Sequence, residues 1–247
     1  MKGLLAIYRR ELAGLFLAPL AWVLFFLVLL YQAYFFLLVL DGKGGEVNSA
    51  LVFVLGGGLP FWLLTLFLPP LLTMRMISEE SRSGLLEFLL TAPVADAAVV
   101  CGKALAATTF LALVWSSTFL FGALVAVLGA PPDWGLLFAV WLGAVLLSAL
   151  FSALGLVSSA LFSTPLLAAF MGILVNVGLL ALPYLARTWR AGGALTELLE
   201  HVDVLAHFQG SFLGGALDSA HVLFFVAWTA AALFLAVRLV ESRRWLG

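Results

Sequence analysis

Five charged side chains fall within thirteen residues: Arg75, Glu79, Glu80, Arg82 and Glu87, in the stretch RMISEESRSGLLEFLLTAPV (75–94). The whole chain is only 10% charged and 64% hydrophobic, so this is where its charge is concentrated. Carboxylates and guanidinium groups three or four residues apart pair along a helix, and an exposed pair contributes a few tenths of a kcal/mol. That is too little to explain the cluster as a stabilising device. Membrane orientation and partner selection are the stronger reasons for it. Gly84 separates the charges from Leu85-Leu86-Glu87-Phe88-Leu89-Leu90, and Pro93 stops a helix beyond them. The spacing predicts a short helix over 85–91 with five apolar side chains. Those side chains either bury against the inner ends of neighbouring helices or dock into a groove on another protein. Asp96 is expected to cap the helix that follows.

The three histidines lie near one another in sequence at His201, His207 and His221, with Asp203 between the first two. His201, Asp203 and His207 are weak candidates for a metal site. A separation of six residues puts His201 and His207 on opposite faces of a continuous helix, and no thiolate accompanies them, so solvated interface residues are the default. No nucleotide-binding loop of the G-x-x-x-x-G-K-S/T type is present. Gly102-Lys103 is followed by Ala104, and position 97 is alanine. Any nucleotide energy must come from another polypeptide. No apolar segment holds an acid, base and nucleophile set, so no catalytic residue is assigned and no cofactor is expected on this chain. Cys101 is the sole cysteine, which excludes an intramolecular disulfide; a small packing residue is the expected role.

The elements that carry these residues are membrane helices. A mean hydropathy of +1.18 lies outside the range of soluble domains. The apolar runs are continuous rather than alternating, which favours an all-α polytopic membrane protein over a β-barrel. Six segments are long enough to cross: 20–40, 51–74, 99–128, 134–162, 165–186 and 221–240. Nine of the twelve Lys and Arg residues fall on one side, among them Lys2, Arg9, Arg10, Arg75, Arg82, Lys103 and Arg238. The positive-inside rule then places both termini and the 75–98 loop in the cytoplasm; the expected location is the cell's inner membrane. The run after Arg10 is too long for a signal peptide and is expected to be retained. Residues 1–17 carry Leu5, Tyr8, Leu12 and Leu15 at helical spacing, with Lys2, Arg9 and Arg10 off that stripe. They read as an interfacial helix turning into the first span at Pro19 and Trp22, the alternative being one continuous helix. The segment 187–220 is too polar to cross and reads as helical hairpins on, or dipping into, the outer interface.

The middles of the six spans lack Asp, Glu, Lys and Arg; Lys103, near an inner end, is expected to snorkel outward. Gln32 and Asn176 are the amides left for polar work, and Asn176 is expected to bond across helices. Small residues four apart, Ser148 and Ser152, Gly155 and Ser159, and Gly172 with Asn176, suit close helix packing. Gly56-Gly57-Gly58 suits a hinge or close approach. No long internal repeat appears.

The run Met74–Val94 resembles the E-E-x-x-x-G-x-x-E-x-L-L-x-x-P-V signature of ABC type-2 permeases, and most closely the branch of the gliding-motility and nitrous-oxide-reductase-maturation permeases. Tyr8-Arg9-Arg10-Glu11-Leu12 resembles that family's interfacial helix. The 205–212 block, with Gly214 and Asp218, resembles its segment before the last span, and Glu241-Ser242-Arg243-Arg244-Trp245 its ending. A leucine stands at position 85, where threonine is frequent in the family. The resemblance implies a six-span permease domain over 1–247. It implies a second permease chain and cytoplasmic ABC ATPase subunits carrying ATP and Mg. It also implies that Glu79, Glu80, Arg82, Gly84, Leu85, Glu87, Phe88, Leu89, Leu90 and Pro93 form the coupling contact, with outer re-entrant helices before the last span.

The expected function is export of a hydrophobic or amphipathic substrate driven by the partner ATPase. One alternative is an ATP-driven mechanical relay to an extracytoplasmic protein; another is a secondary carrier or channel, which the missing mid-span charges disfavour. The lipid bilayer is the other expected partner, and no nucleic acid is expected.

Overall fold

The computed structural model describes residues 2–84, 95–188 and 201–243. Its first helix, α1 (Lys2–Leu17), ends at Ala18, whose extended backbone (φ −78°, ψ 123°) turns the chain. Pro19 then opens α2 (Pro19–Gly42), where the missing N–H removes no helical bond. The turn is pinned by the Trp22 indole, which donates to the Phe16 carbonyl at 2.7 Å.

The second apolar segment is broken rather than continuous. A short α3 (Val47–Val52) runs into a π-helical turn at Phe53–Gly57, and α4 (Leu59–Thr73) starts afresh. Gly56 supplies the break with φ +156°, a backbone that side chains other than glycine rarely adopt. The Trp62 indole donates to the Gly56 carbonyl at 3.0 Å, returning a hydrogen bond to the interrupted ladder. Pro69 and Pro70 lie inside α4, where Gly155 and Gly172 of two neighbouring helices let those helices approach Pro70 closely. A single turn, α5 (Ser78–Arg82), follows.

The rest of the bundle is α6 (Asp96–Val127), α7 (Trp134–Leu161), α8 (Pro165–Thr188), the short α9 (Val204–Ser211) with a 3-10 turn at Phe212–Gly214, and α10 (Ser219–Arg243). No strand occurs among the described residues. Six helical units are long and apolar enough to cross a membrane, so the chain is an all-α, multi-pass membrane protein. The most buried of these is α7, whereas α10 turns most of its residues outward. At 32 residues, α6 extends about 48 Å, well past a hydrocarbon core of about 30 Å.

Two expectations about caps and polar packing change. Asp96 is the first residue inside α6, with Ala95 at the cap position; its charge instead favours the positive end of the helix dipole. Asn176 is fully buried, but neither amide atom meets a hydrogen-bond partner among the described residues, so the cross-helix bond expected of it is not formed there. Other small polar residues do bridge helices. The Trp115 indole donates to Ser148 Oγ at 2.9 Å, and Ser117 Oγ donates to Gln32.

Candidate functional site: a charge cluster under the 75–84 loop

At the end of the bundle that carries α1, four side chains from three separate segments meet. Lys103 Nζ lies 2.9 Å from Glu11 Oε1 and 2.8 Å from Glu80 Oε1. Arg10 Nη2 lies 2.6 Å from the same Glu11 oxygen and 2.7 Å from the same Glu80 oxygen. Two cations and two carboxylates thus alternate around a closed square of zero net charge. Lys103 is 0% exposed, Glu80 12%, Glu11 15% and Arg10 47%, so the cluster is sealed from its α6 side and open at Arg10.

The local folding that builds the square is visible residue by residue. Helix α1 crosses α6 at Gly102, where an added Cβ would stand 3.0 Å from Ile7 Cγ2. That close crossing brings Glu11 over Lys103, one residue further along α6. Tyr8 Oη reaches Thr109 Oγ1 at 3.3 Å and fixes the rotation of α1. Lys103 therefore does not snorkel to water as its position suggests; it turns inward because two carboxylates replace its hydration. Ile7 is the buried side chain among the described residues of α1, while Leu5 of the apolar stripe is exposed. Burial by itself would raise the Glu11 pKa, but Lys103 and Arg10 outweigh it and hold the carboxyl below its usual range. Burial likewise works against the Arg10 charge, and Glu11 and Glu80 overcome it, raising its pKa.

Two further attachments hold the loop that bears Glu80. Ser159 Oγ on α7 accepts from the amides of Ile77 (3.1 Å) and Ser78 (3.0 Å) and donates to the Met74 carbonyl (3.0 Å). It satisfies backbone groups left over where α4 ends. Met76 and Ile77 then insert into an apolar cluster with Val100, Ala104, Leu156 and Val240.

The structure divides the expected coupling residues. Glu80 faces inward and is committed to Arg10 and Lys103, whereas Glu79 and Arg82 are exposed. Arg75 and Glu79 form a loose, exposed i,i+4 pair at 3.9 Å. Gly84 ends the turn with φ +75°. Leu85, Glu87, Phe88, Leu89, Leu90 and Pro93 lie outside the described residues. Of the interfacial-helix set, Arg10 and Glu11 join the square, Tyr8 packs on α6 and Arg9 is exposed. Nothing in the residue pattern signals that Ser159 clamps the loop or that Glu11, Glu80 and Lys103 converge. A lysine and a glutamate at the borders of long apolar runs were the available hints.

At the other end of the bundle, α9 and its 3-10 turn plug the helices. Phe208 and Phe212 are fully buried beside Phe61, Trp62 and Phe225. Phe208 lies against Gly56 at the α3–α4 break, and Phe212 against Gly143, where an added Cβ would come within 2.6 Å of the ring. Asp203 caps α9 by accepting from the Ala206 amide at 2.9 Å. His201 precedes α9, so the expected continuous helix between His201 and His207 does not exist. His207 instead meets His221 of α10, Nδ1 to Nδ1, at 2.8 Å and stacks on Phe224. Among the described residues no group of three or more His, Cys, Asp or Glu side chains is arranged to hold a metal ion.

Compared with models of known protein families and with the sequences of curated proteins, the chain matches none.

Proposed function

We propose that the chain is the membrane-spanning subunit of an ATP-binding cassette transporter. Working as a dimer with cytoplasmic ABC ATPase subunits, it would export a hydrophobic or amphipathic substrate across the cell's inner membrane, with both termini in the cytoplasm. One observation carries the reading: the 74–84 segment, which exposes Glu79 and Arg82, is tied at once to α1, α6 and α7, through the charge square and Ser159. A load applied to that turn moves three helices as a unit, because Lys103 and Ser159, which hold it to α6 and α7, are fully buried and Glu11 joins α1 to the same lysine. The resemblance of 74–94 to the type-2 permease signature supports the same assignment, as does the absence of ionisable groups from mid-span sequence.

The test is purification from the native membrane under mild detergent, followed by ATPase measurement in proteoliposomes. The expected result is a co-purifying nucleotide-binding subunit whose turnover falls when Glu79→Lys and Arg82→Glu are introduced. A chain that purifies without such a subunit, and stays active with both reversals, would sink the proposal.

A second reading keeps the ATPase but sends its motion to an extracytoplasmic protein. The seating of Phe208 and Phe212 favours it, since the α9 hairpin is locked to the α4 break and to α7. Loss of partner capture on deleting 204–214, with ATPase coupling intact, would select the relay over export.

A further inference from the structure

A cavity of about 330 Å³ lies beside the charge square, between α1, the first turn of α2, the end of α4 and α5. We infer that it is a binding site for the headgroup and upper acyl region of an aminophospholipid from the adjacent leaflet. The inference requires only that α1 lie at the membrane surface and does not depend on the ATPase reading.

The cavity has two chemically distinct walls. Leu15, Ala21, Leu72 and Met76 make one side apolar, and the lining continues through Ala18 and Leu20 at the α1–α2 turn, where Leu17, Leu20 and Trp22 expose their side chains. That is where acyl chains meet headgroups if α2 enters the bilayer at Pro19, with Trp22 in the interfacial belt. The other side holds Glu11, Glu79, Glu80 and Arg75. Arg10 and Lys103, the nearby cations, are already shared between Glu11 and Glu80. The groups left for a ligand are therefore one guanidinium and nearby carboxylate oxygens.

Arg75 and Glu79 are 65% and 60% exposed and only 3.9 Å apart at their closest atoms, so each readily exchanges its partner. Arg75 suits a phosphate. Glu79 accepts from an ammonium with either carboxylate oxygen, whereas Glu80 on the same wall is committed to Arg10 and Lys103. A primary ammonium brings N–H donors to these oxygens; a quaternary choline brings none. A headgroup with a net negative charge and no amine leaves the Glu79 carboxylate unmatched and adds repulsion. The set thus selects a zwitterion with phosphate and primary amine on one short linker.

The experiment is native mass spectrometry of the full chain in detergent, titrated separately with dioleoyl phosphatidylethanolamine, phosphatidylcholine and phosphatidylglycerol. One ethanolamine lipid should bind about fivefold more tightly than either other lipid, the effect of one well-placed headgroup contact. Arg75→Gln with Glu79→Gln should bring the three lipids to parity. Gly14→Leu supplies an independent check: Gly14 lines the cavity and its added Cβ meets no atom within 4 Å, so the larger side chain fills the space without straining α1. It should abolish the preference while leaving the unfolding temperature unchanged or raised. Equal binding of all three lipids to the native chain overturns the inference, as does a preference that survives Gly14→Leu. If the cavity is instead a seat for an ATPase subunit, Gly14→Leu will break that complex and no ethanolamine preference will appear in the native chain.

Discussion

Lys103 and Glu80 meet at 2.8 Å although 23 residues and a change of helix separate them, and the lysine has no exposed surface. An ammonium so enclosed is stable because Glu11 and Glu80 both face it and Arg10 completes the charge balance. The pairing converts a polar surface loop into part of the bundle.

Removing that lysine should therefore be severe. Lys103→Met leaves two carboxylates partly buried with only Arg10 between them, an expected loss of about 3–5 kcal/mol. Arg75→Ala, which breaks an exposed pair, should change stability by less than about 0.5 kcal/mol. Adding Glu80→Gln to Lys103→Met should restore part of the loss. Thermal unfolding in detergent measures all three, and a Lys103→Met protein as stable as Arg75→Ala would refute the account.

The square and the histidine pair predict two separate acid responses. The folded Glu11 pKa lies below its ordinary 4.5, so its stabilisation is fully present above about 4.5 and disappears as pH falls through the folded value. Lys103→Met should weaken this dependence. Burial pushes His207 below its ordinary 6.5, even though a backbone contact with His201 acts the other way. The unfolded state then binds the proton more readily, so the α9 hairpin should loosen as pH falls from about 6.5 towards the folded value. Hydrogen exchange across 204–211 at pH 7.5 and 5.5 reads this response, and His207→Phe should remove it.

Ser159→Ala strands the Ile77 and Ser78 amides where α4 gives way to α5, while the Met74 carbonyl keeps the bond it accepts from Ser78 Oγ. The expected loss is about 2 kcal/mol, with faster exchange at the Ile77 and Ser78 amides and little change in the α9 hairpin. Uniformly faster exchange would mean that Ser159 supports the whole bundle rather than this loop.

The α9 plug offers a contrast between two glycines. Gly143→Ala collides with Phe212, and Phe212→Leu should recover much of the lost stability because the α7 backbone at Gly143 is ordinary helix. Gly56→Ala meets both the Phe208 ring and an unfavourable backbone at φ +156°, so Phe208→Leu should recover less. Unfolding temperatures of the four variants decide it; equal recovery at both sites would contradict the backbone argument.

Much of the bundle was legible from the chain. Apolar runs of about 20 residues mark spans because backbone groups in lipid must bond within their own segment. Pro19 and Gly84 mark turns for local reasons as well. The break at Gly56 was less legible: a glycine triplet shows that the backbone is permissive, whereas its φ of +156° accompanies the seating of Phe208, about 150 residues away. The histidines were misread for the same kind of reason. A helical wheel assumes a continuous helix through 201–207, but Asp203 caps a new helix at Val204 and His207 faces His221 on the next element.

Sequence by itself determined the class of the molecule: an all-α membrane chain with six hydrophobic crossings and a dense charge cluster in the loop after the second. Periodicity and apolar length are local properties, and local physics suffices for them. Tertiary structure decided which charges are surface and which are interior. Glu79 and Glu80 are neighbours of identical chemistry, yet one is exposed and the other is committed to Arg10 and Lys103. That choice depends on where α1 crosses α6 at Gly102 and on how Ser159 holds the turn. Both are contacts between distant segments, and no local pattern in the chain encodes them.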